Sequence, residues 1–311
     1  MAGTLVVSLD FELFWGMLDV CTLDEYRENV LGGRKAIPQM LALFEKYNIH
    51  ATWAAVGFLF AQGSEELRAF FPECRPGYRE EKLNPYPLIS KISAGDAPCF
   101  FAPDLIDLIA QTPGQEIGSH TFCHYYCREA GQTVEEFAAD MAAAKAIAKQ
   151  KGYDVKSVVL PRNQCEPEYT EVLRKLGFTA YRDEENDWIH EKIHFRPLKR
   201  LLRLADVYLP LTGLGGYVPK CENGIWNVVG SRMYKPILKP LAFMERVKLA
   251  RIKAQMRHAA KHNLTFHLWR HPHNVGVKTE AHLAQLEEIF AYYDTLRTQY
   301  GMQSRNMGEI Q

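Results

Sequence analysis

Short apolar runs alternate with helical segments along most of this 311-residue chain, and that alternation limits the fold more than any other feature. Thr4–Leu9, His50–Val56, the residues leading into His120, Val155–Leu160, Phe178–Tyr181 and Leu264–Trp269 read as strands. Asp24–Lys46, Asp104–Ala110, Glu166–Leu176 and Thr279–Tyr300 read as helices, as does the alanine-rich stretch opened by a Thr133–Glu136 capping box. The first strand is a short, largely β-branched and apolar run, as expected for a buried strand. A parallel α/β architecture is therefore expected, as one unit over residues 1–311 with irregular insertions at about 71–103 and 184–240.

Polar residues gather where these strands end. Thr4–Leu9 runs into Asp10-Phe11-Glu12, and residues two apart on a strand share a side, so both carboxylates can face one point. Two acids closing an apolar strand are costly unless they bind a cation or find hydrogen-bond donors; the plainer alternative is a strand end that meets water. His120 and His124 stand four apart after the third run. On a helix they would share a face and could hold one divalent metal. Arg162 follows the Val155–Leu160 run, and Arg270-His271-Pro272-His273-Asn274 follows the last. Strand carboxyl ends build the active sites of parallel α/β barrels. A four-ligand site adding Cys123 and Cys127 to the histidines is disfavoured, because eight consecutive residues cannot easily surround an ion tetrahedrally.

Composition removes several classes. Lys plus Arg number 37 and Asp plus Glu 37, a balance that argues against a dedicated nucleic-acid binder. The start lacks the basic region of a secretory signal, and the longest apolar stretch, about 51–61, is too short to span a bilayer. Seven cysteines at irregular spacing do not form a disulfide framework, so a soluble, reduced, cytoplasmic protein is expected. Two basic segments, Arg196–Leu204 and Leu241–Lys261, read either as solvated faces or as contacts to substrate phosphates or an anionic membrane surface.

Four stretches, in chain order, resemble one family. Ser8–Glu12, Gly118–His124, Pro161–Arg162 and Trp269–Asn274 are similar to the motifs of the polysaccharide deacetylases, the NodB-homology fold of carbohydrate esterase family 4. The resemblance implies a distorted (β/α) barrel of about seven parallel strands holding one divalent metal, commonly zinc. It assigns Asp10 as general base, Glu12, His120 and His124 as metal ligands, Arg162 as the residue orienting Asp10, and His271 as general acid, with His273 its alternative. Arg162 could instead be a surface salt-bridge former. Trp15, Asn163 and His273 are candidates to contact substrate, and His267 is expected to be structural. Two departures stand out: many members carry adjacent aspartates where this chain has Asp-x-Glu, and the family's Asp/Trp pair has only Asp183, or Asp187 with Trp188, as its counterpart. The implied activity is removal of an N-acyl group, acetyl first, from an amino sugar on a nucleotide or lipid carrier, in building a surface polysaccharide such as O-antigen. Alternatives are N-deformylation, as in the arabinose-lipid deformylases, and a carbohydrate-binding protein that keeps the fold without turnover.

Overall fold

The apolar runs pair into one sheet in the computed structural model, which describes residues 2–183 and 187–311. Residues 184–186, at the start of the second expected insertion, lie outside the described residues. The strands are β1 (Thr4–Phe11), β2 (Ala51–Ala55), β3 (Gln115–Ser119), β4 (Ser157–Val159), β5 (Ala180–Arg182), β6 (Lys220–Glu222), β7 (Ile225–Asn227), β8 (Arg232–Met233), β9 (Thr265–Arg270) and β10 (Gln303–Arg305). Their order is β6-β7-β5-β4-β3-β2-β1-β9-β8. Every pairing is parallel except β6 with β7. Neighbours in the sheet mostly follow chain order, as expected of a (β/α) barrel, with β6 and β8 at the two ends of the path.

β1, buried from Leu5 to Phe11, lies at the centre. One edge pairs with β9 over Thr4–Leu9, and the other with β10 and then β2. Parallel neighbours need a crossover, and the longer helices supply it: α1 (Leu23–Lys46), α2 (Pro103–Gln111), α3 (Val134–Gln150), α4 (Pro167–Lys175), α5 (Arg196–Tyr208), α6 (Glu245–His262) and α7 (Thr279–Tyr300). Capping boxes start α1 at Thr22 and α3 at Thr133, each satisfying orphan amides of the first turn. Along α1 the buried Ile37, Met40, Leu41 and Phe44 recur at helical spacing. Phe44 fills the layer between Trp53 of β2, 5.9 Å away by ring centroids, and Phe290 of α7, at 5.2 Å.

The same helix fixes a loop that matters for the site. Gly33 of α1 lies so close to the turn after β9 that a Cβ there would stand 2.7 Å from the His273 Cα. The short strands β6, β7 and β8 were not visible as apolar runs, and they fall within the expected second insertion. All seven cysteines are free thiols, and no helix among the described residues is long and apolar enough to cross a membrane.

Candidate active site

Asp10 and Glu12 close β1, and both are buried. Glu12 meets the two histidines that follow β3: its Oε2 lies 3.2 Å from His120 Nε2 and 3.0 Å from His124 Nε2. Among the described residues these three form the one cluster whose ligand atoms all lie within 4.8 Å of each other. Cys123 and Cys127 turn into the apolar core instead.

The histidines are not on a helix. Thr121 and His124 both take positive φ, 64° and 62°, so the chain after β3 coils and brings the rings to a centroid separation of 5.0 Å. Side chains hold that coil in place. Buried Asp140 of α3 accepts the Phe122 amide at 2.7 Å and the Cys123 amide at 3.1 Å, and Thr121 Oγ1 accepts the Tyr125 amide at 2.7 Å. Burial pushes the Asp140 carboxyl up to about 6, against the pull of these donors.

The donor set suits a divalent cation. His120 Nδ1 lies 2.7 Å from the Val159 carbonyl, which can only accept, so Nδ1 carries the proton and the Nε2 lone pair points at Glu12. A lone pair facing a carboxylate inside a dry pocket is favourable with a cation between them. Two histidines, one of them oriented by a backbone carbonyl, plus one carboxylate are also the donors of catalytic zinc sites that keep an open position. Burial alone would raise the Glu12 carboxyl, but the neighbouring imidazoles of His271, His120 and His124 outweigh it and hold the group well below its ordinary range. Gly16 completes the cradle: a Cβ there would stand 2.1 Å from the Glu12 carboxyl carbon.

Beside this cluster, Asp10 is clasped by Arg182, the last residue of β5. The guanidinium donates to Asp10 Oδ1 at 2.6 Å and to Oδ2 at 2.7 Å, and also to Ser8 Oγ at 2.9 Å. Asn163 Oδ1 accepts two further donors from it, and its plane lies 4.3 Å from the Trp269 ring centroid. Desolvation tends to raise the Asp10 carboxyl; the Arg182 charge and hydrogen bonds, with His271, exceed that and keep it ionised. His271 Nε2 stands 3.6 Å from both Asp10 Oδ2 and Glu12 Oε1. A cleft of about 200 Å³ opens onto Asp10, Glu12, His120, His124 and His271, with Arg162, Asn163 and Trp269 on its walls.

A sequence profile of the polysaccharide deacetylases matches residues 21–181, just over half of the chain. The chain belongs to the polysaccharide deacetylase family. Solved structures carry the likeness over its whole length. A Mycobacterium smegmatis protein described as a polysaccharide deacetylase superposes with a TM-score of 0.61 at 13% identity, covering 100% of this chain and 90% of that one. A second, from Pseudomonas aeruginosa PAO1, gives 0.58 at 13% identity, covering 99% and 89%. Puue allantoinase gives 0.60 at 12% identity, covering 99% and 88%. At these identities the likeness is one of fold. No sequence among curated proteins matches.

Against the family's motif pattern, the structure corrects two expectations, for Arg162 and for Trp15. Arg162 does not touch Asp10; it pairs with Asp19 and with Glu129 at 2.7 Å, its guanidinium 4.2 Å from the Tyr126 ring centroid. The reason is backbone: Arg162 and Asn163 both have positive φ, 57° and 50°, and that turn aims Asn163 at Arg182 while Arg162 lines the outer cleft. The signal for Arg182 was present, since an arginine closing a buried strand needs a partner as much as Asp10 does. Trp15 is only 1% exposed; its indole donates to the Phe100 carbonyl at 2.7 Å and packs on Phe58, so it belongs to the core. The indole beside His271 is that of Trp269, 5.9 Å away by ring centroids. Trp188 instead donates to the Leu211 carbonyl at 2.9 Å, Asp187 lines a neighbouring chamber, and Asp183 accepts the Gly230 amide through its carbonyl.

The other histidines separate cleanly. The His271 side chain is 20% exposed and faces the cleft. His273 stacks behind it at 3% exposure, and burial drives its imidazole down to about 3, so it stays neutral. His267 is buried in β9; its Nδ1 lies 3.0 Å from the Val228 carbonyl and its Nε2 2.7 Å from Ser8 Oγ. It joins Ser8 and Arg182 in one chain of contacts behind Asp10.

Proposed function

We propose that this polysaccharide deacetylase-family protein is a metal-dependent amide hydrolase that removes an N-acyl group, acetyl first, from an amino sugar. The observation that carries the reading is the convergence of three side chains on one buried point: Glu12 from just after β1, His120 and His124 from after β3, with the Arg182-clasped Asp10 alongside. Glu12, His120 and His124 would hold the ion. When bound, a divalent cation supplies a Lewis acid for the amide carbonyl and lowers the pKa of water toward ~7.

The chain's own residues supply the rest. Asp10, kept ionised by Arg182, accepts the proton of the attacking water. His271, facing the same cleft, delivers a proton to the departing nitrogen, so that one amide and one water become a carboxylic acid and an amine. His273, held neutral, packs against the His271 ring and fixes its plane. Arg162 and Asn163, which line the cleft, would meet sugar hydroxyls.

The substrate is proposed to be an amino sugar on a nucleotide or lipid carrier, used inside the cell for surface polysaccharide such as O-antigen, with zinc as the resident ion. The test is direct: the zinc-loaded protein is incubated with N-acetyl and N-formyl amino-sugar nucleotides and with a prenyl-diphosphate-linked N-acetyl sugar, and released acetate or formate is measured. Acetate release supports the reading. Formate alone makes the protein a deformylase, and neither acid from any carrier contradicts hydrolysis.

A further inference from the structure

The second insertion and the helix that follows it concentrate features that the hydrolase site leaves unused. Between residues 188 and 261 stand fifteen Lys and Arg against four Asp and Glu, a net charge of +11 in a chain whose total is zero. Several of these cations are spent internally: Arg232 and Arg251 share Asp206, Lys248 pairs with Glu245, and Lys253 with Glu288. Others, Arg196, Arg200 and Arg246 among them, lie on the surface.

Exposed apolar side chains collect in the same stretch. Of the thirteen large hydrophobics exposed among the described residues, ten fall between 188 and 247. That span is about one fifth of the chain, so the clustering is not the scatter of single surface hydrophobics found on most proteins. Helix α5 shows how they are arranged. Phe195, Leu198 and Leu201 recur at three-residue spacing along one side and are 68%, 41% and 62% exposed. Arg196, Arg200 and Arg203 occupy another side of the same helix. An ordinary surface helix turns its apolar side inward; α5 leaves these three outward. It packs on α6, where Arg246 and the exposed Val247, with exposed Phe243 in the turn just before that helix, extend the character.

From this we infer that the α5–α6 face is a docking surface for an anionic lipid bilayer, with the apolar side of α5 entering the interface and its arginines at the head groups. A helix with a cationic side beside outward Phe and Leu is the form that lies in a membrane plane. Charge decides between occupants. A second copy would bring one strongly cationic face against another, whereas anionic head groups complement it. The face shares no residue with the metal cluster, so the inference stands apart from the hydrolase reading. It does sit beside the site: Arg203 of α5 lines a chamber that shares Arg162, Asn163 and Trp269 with the catalytic cleft. A bilayer at this face would bring a lipid-borne sugar to the cleft's edge.

The test needs no turnover. The full chain is sedimented with sucrose-loaded vesicles of phosphatidylcholine, with or without phosphatidylglycerol. The expected result is binding to the phosphatidylglycerol vesicles alone, weakened by salt. The triple substitution Arg196→Gln, Arg200→Gln, Arg246→Gln weakens it on the order of 100-fold. Phe195→Ser, Leu198→Ser, Leu201→Ser removes it, with circular dichroism unchanged because all three side chains are already exposed. Failure of the wild type to sediment with phosphatidylglycerol vesicles overturns the inference. So does equal binding by the serine variant, or a wild-type dimer in gel filtration that this variant converts to a monomer.

Discussion

Replacing Arg182 with methionine keeps the stem that packs beside Trp269 but removes the only guanidinium touching Asp10 among the described residues. Asp10 is buried, and both its oxygens accept from Arg182. Removing one partner of such a pair leaves an uncompensated charge inside the protein, at a cost of about 3–5 kcal/mol. The lost contacts to Ser8 and Asn163 push toward the upper end. Arg162→Met is the control: that side chain is 40% exposed and its pairs with Asp19 and Glu129 border water, so the cost is about 0–1 kcal/mol. Urea unfolding at neutral pH reads both. The double variant Asp10→Asn, Arg182→Met relieves the stranded charge, so the two sites couple by about 2–3 kcal/mol. Acidification gives a second readout. The folded-state Asp10 carboxyl lies below its ordinary 3.8, so its contribution is complete above that value and is lost as pH falls through the folded value; the double variant lacks that loss. Equal destabilisation by Arg162→Met and Arg182→Met, or no coupling, refutes the pairing and with it the means of keeping Asp10 ionised.

Three further outcomes are expected. Gly16→Ala drives its new Cβ into the Glu12 carboxylate and should weaken metal affinity about 10–100-fold in a chelator competition, with little change in far-ultraviolet circular dichroism. Asp140→Asn turns one of the two oxygens that accept the Phe122 and Cys123 amides into a donor group, loosening the coil that carries His124; a loss of about 1–3 kcal/mol in denaturant is expected, and an unchanged midpoint denies Asp140 that role. His273→Phe should retain a measurable rate because His273 is neutral and stacked, whereas His271→Phe should lose about 100-fold or more in kcat, so the reverse ranking exchanges their roles.

The legible part of this fold was the part governed by burial. β1 is mostly apolar, and Asp10 and Glu12 at and just beyond its end were conspicuous for that reason. The Thr133 capping box was equally plain, because two side chains and two amides fix its spacing. Strands of two or three residues such as β6, β7 and β8 carry too few positions to show a period, so the 184–240 stretch read as irregular. The histidine pair was legible as a pair, but the helix expected beneath it was not there; positive φ at Thr121 and His124 depends on the grip of Asp140 from α3, a tertiary contact. Arg162 and Arg182 exchanged places for a related cause. Proximity to a motif pointed to Arg162, whereas a left-handed turn at that residue sends its side chain outward, leaving Asp10 to an arginine one strand further along the sheet.

Metal content measured together with acetate release tests the central claim most directly. The account predicts about one divalent ion bound per wild-type chain, retained in Asp10→Asn, lost in His124→Ala, and no acetate from either variant. Full metal content in His124→Ala, or undiminished acetate release by Asp10→Asn, contradicts it.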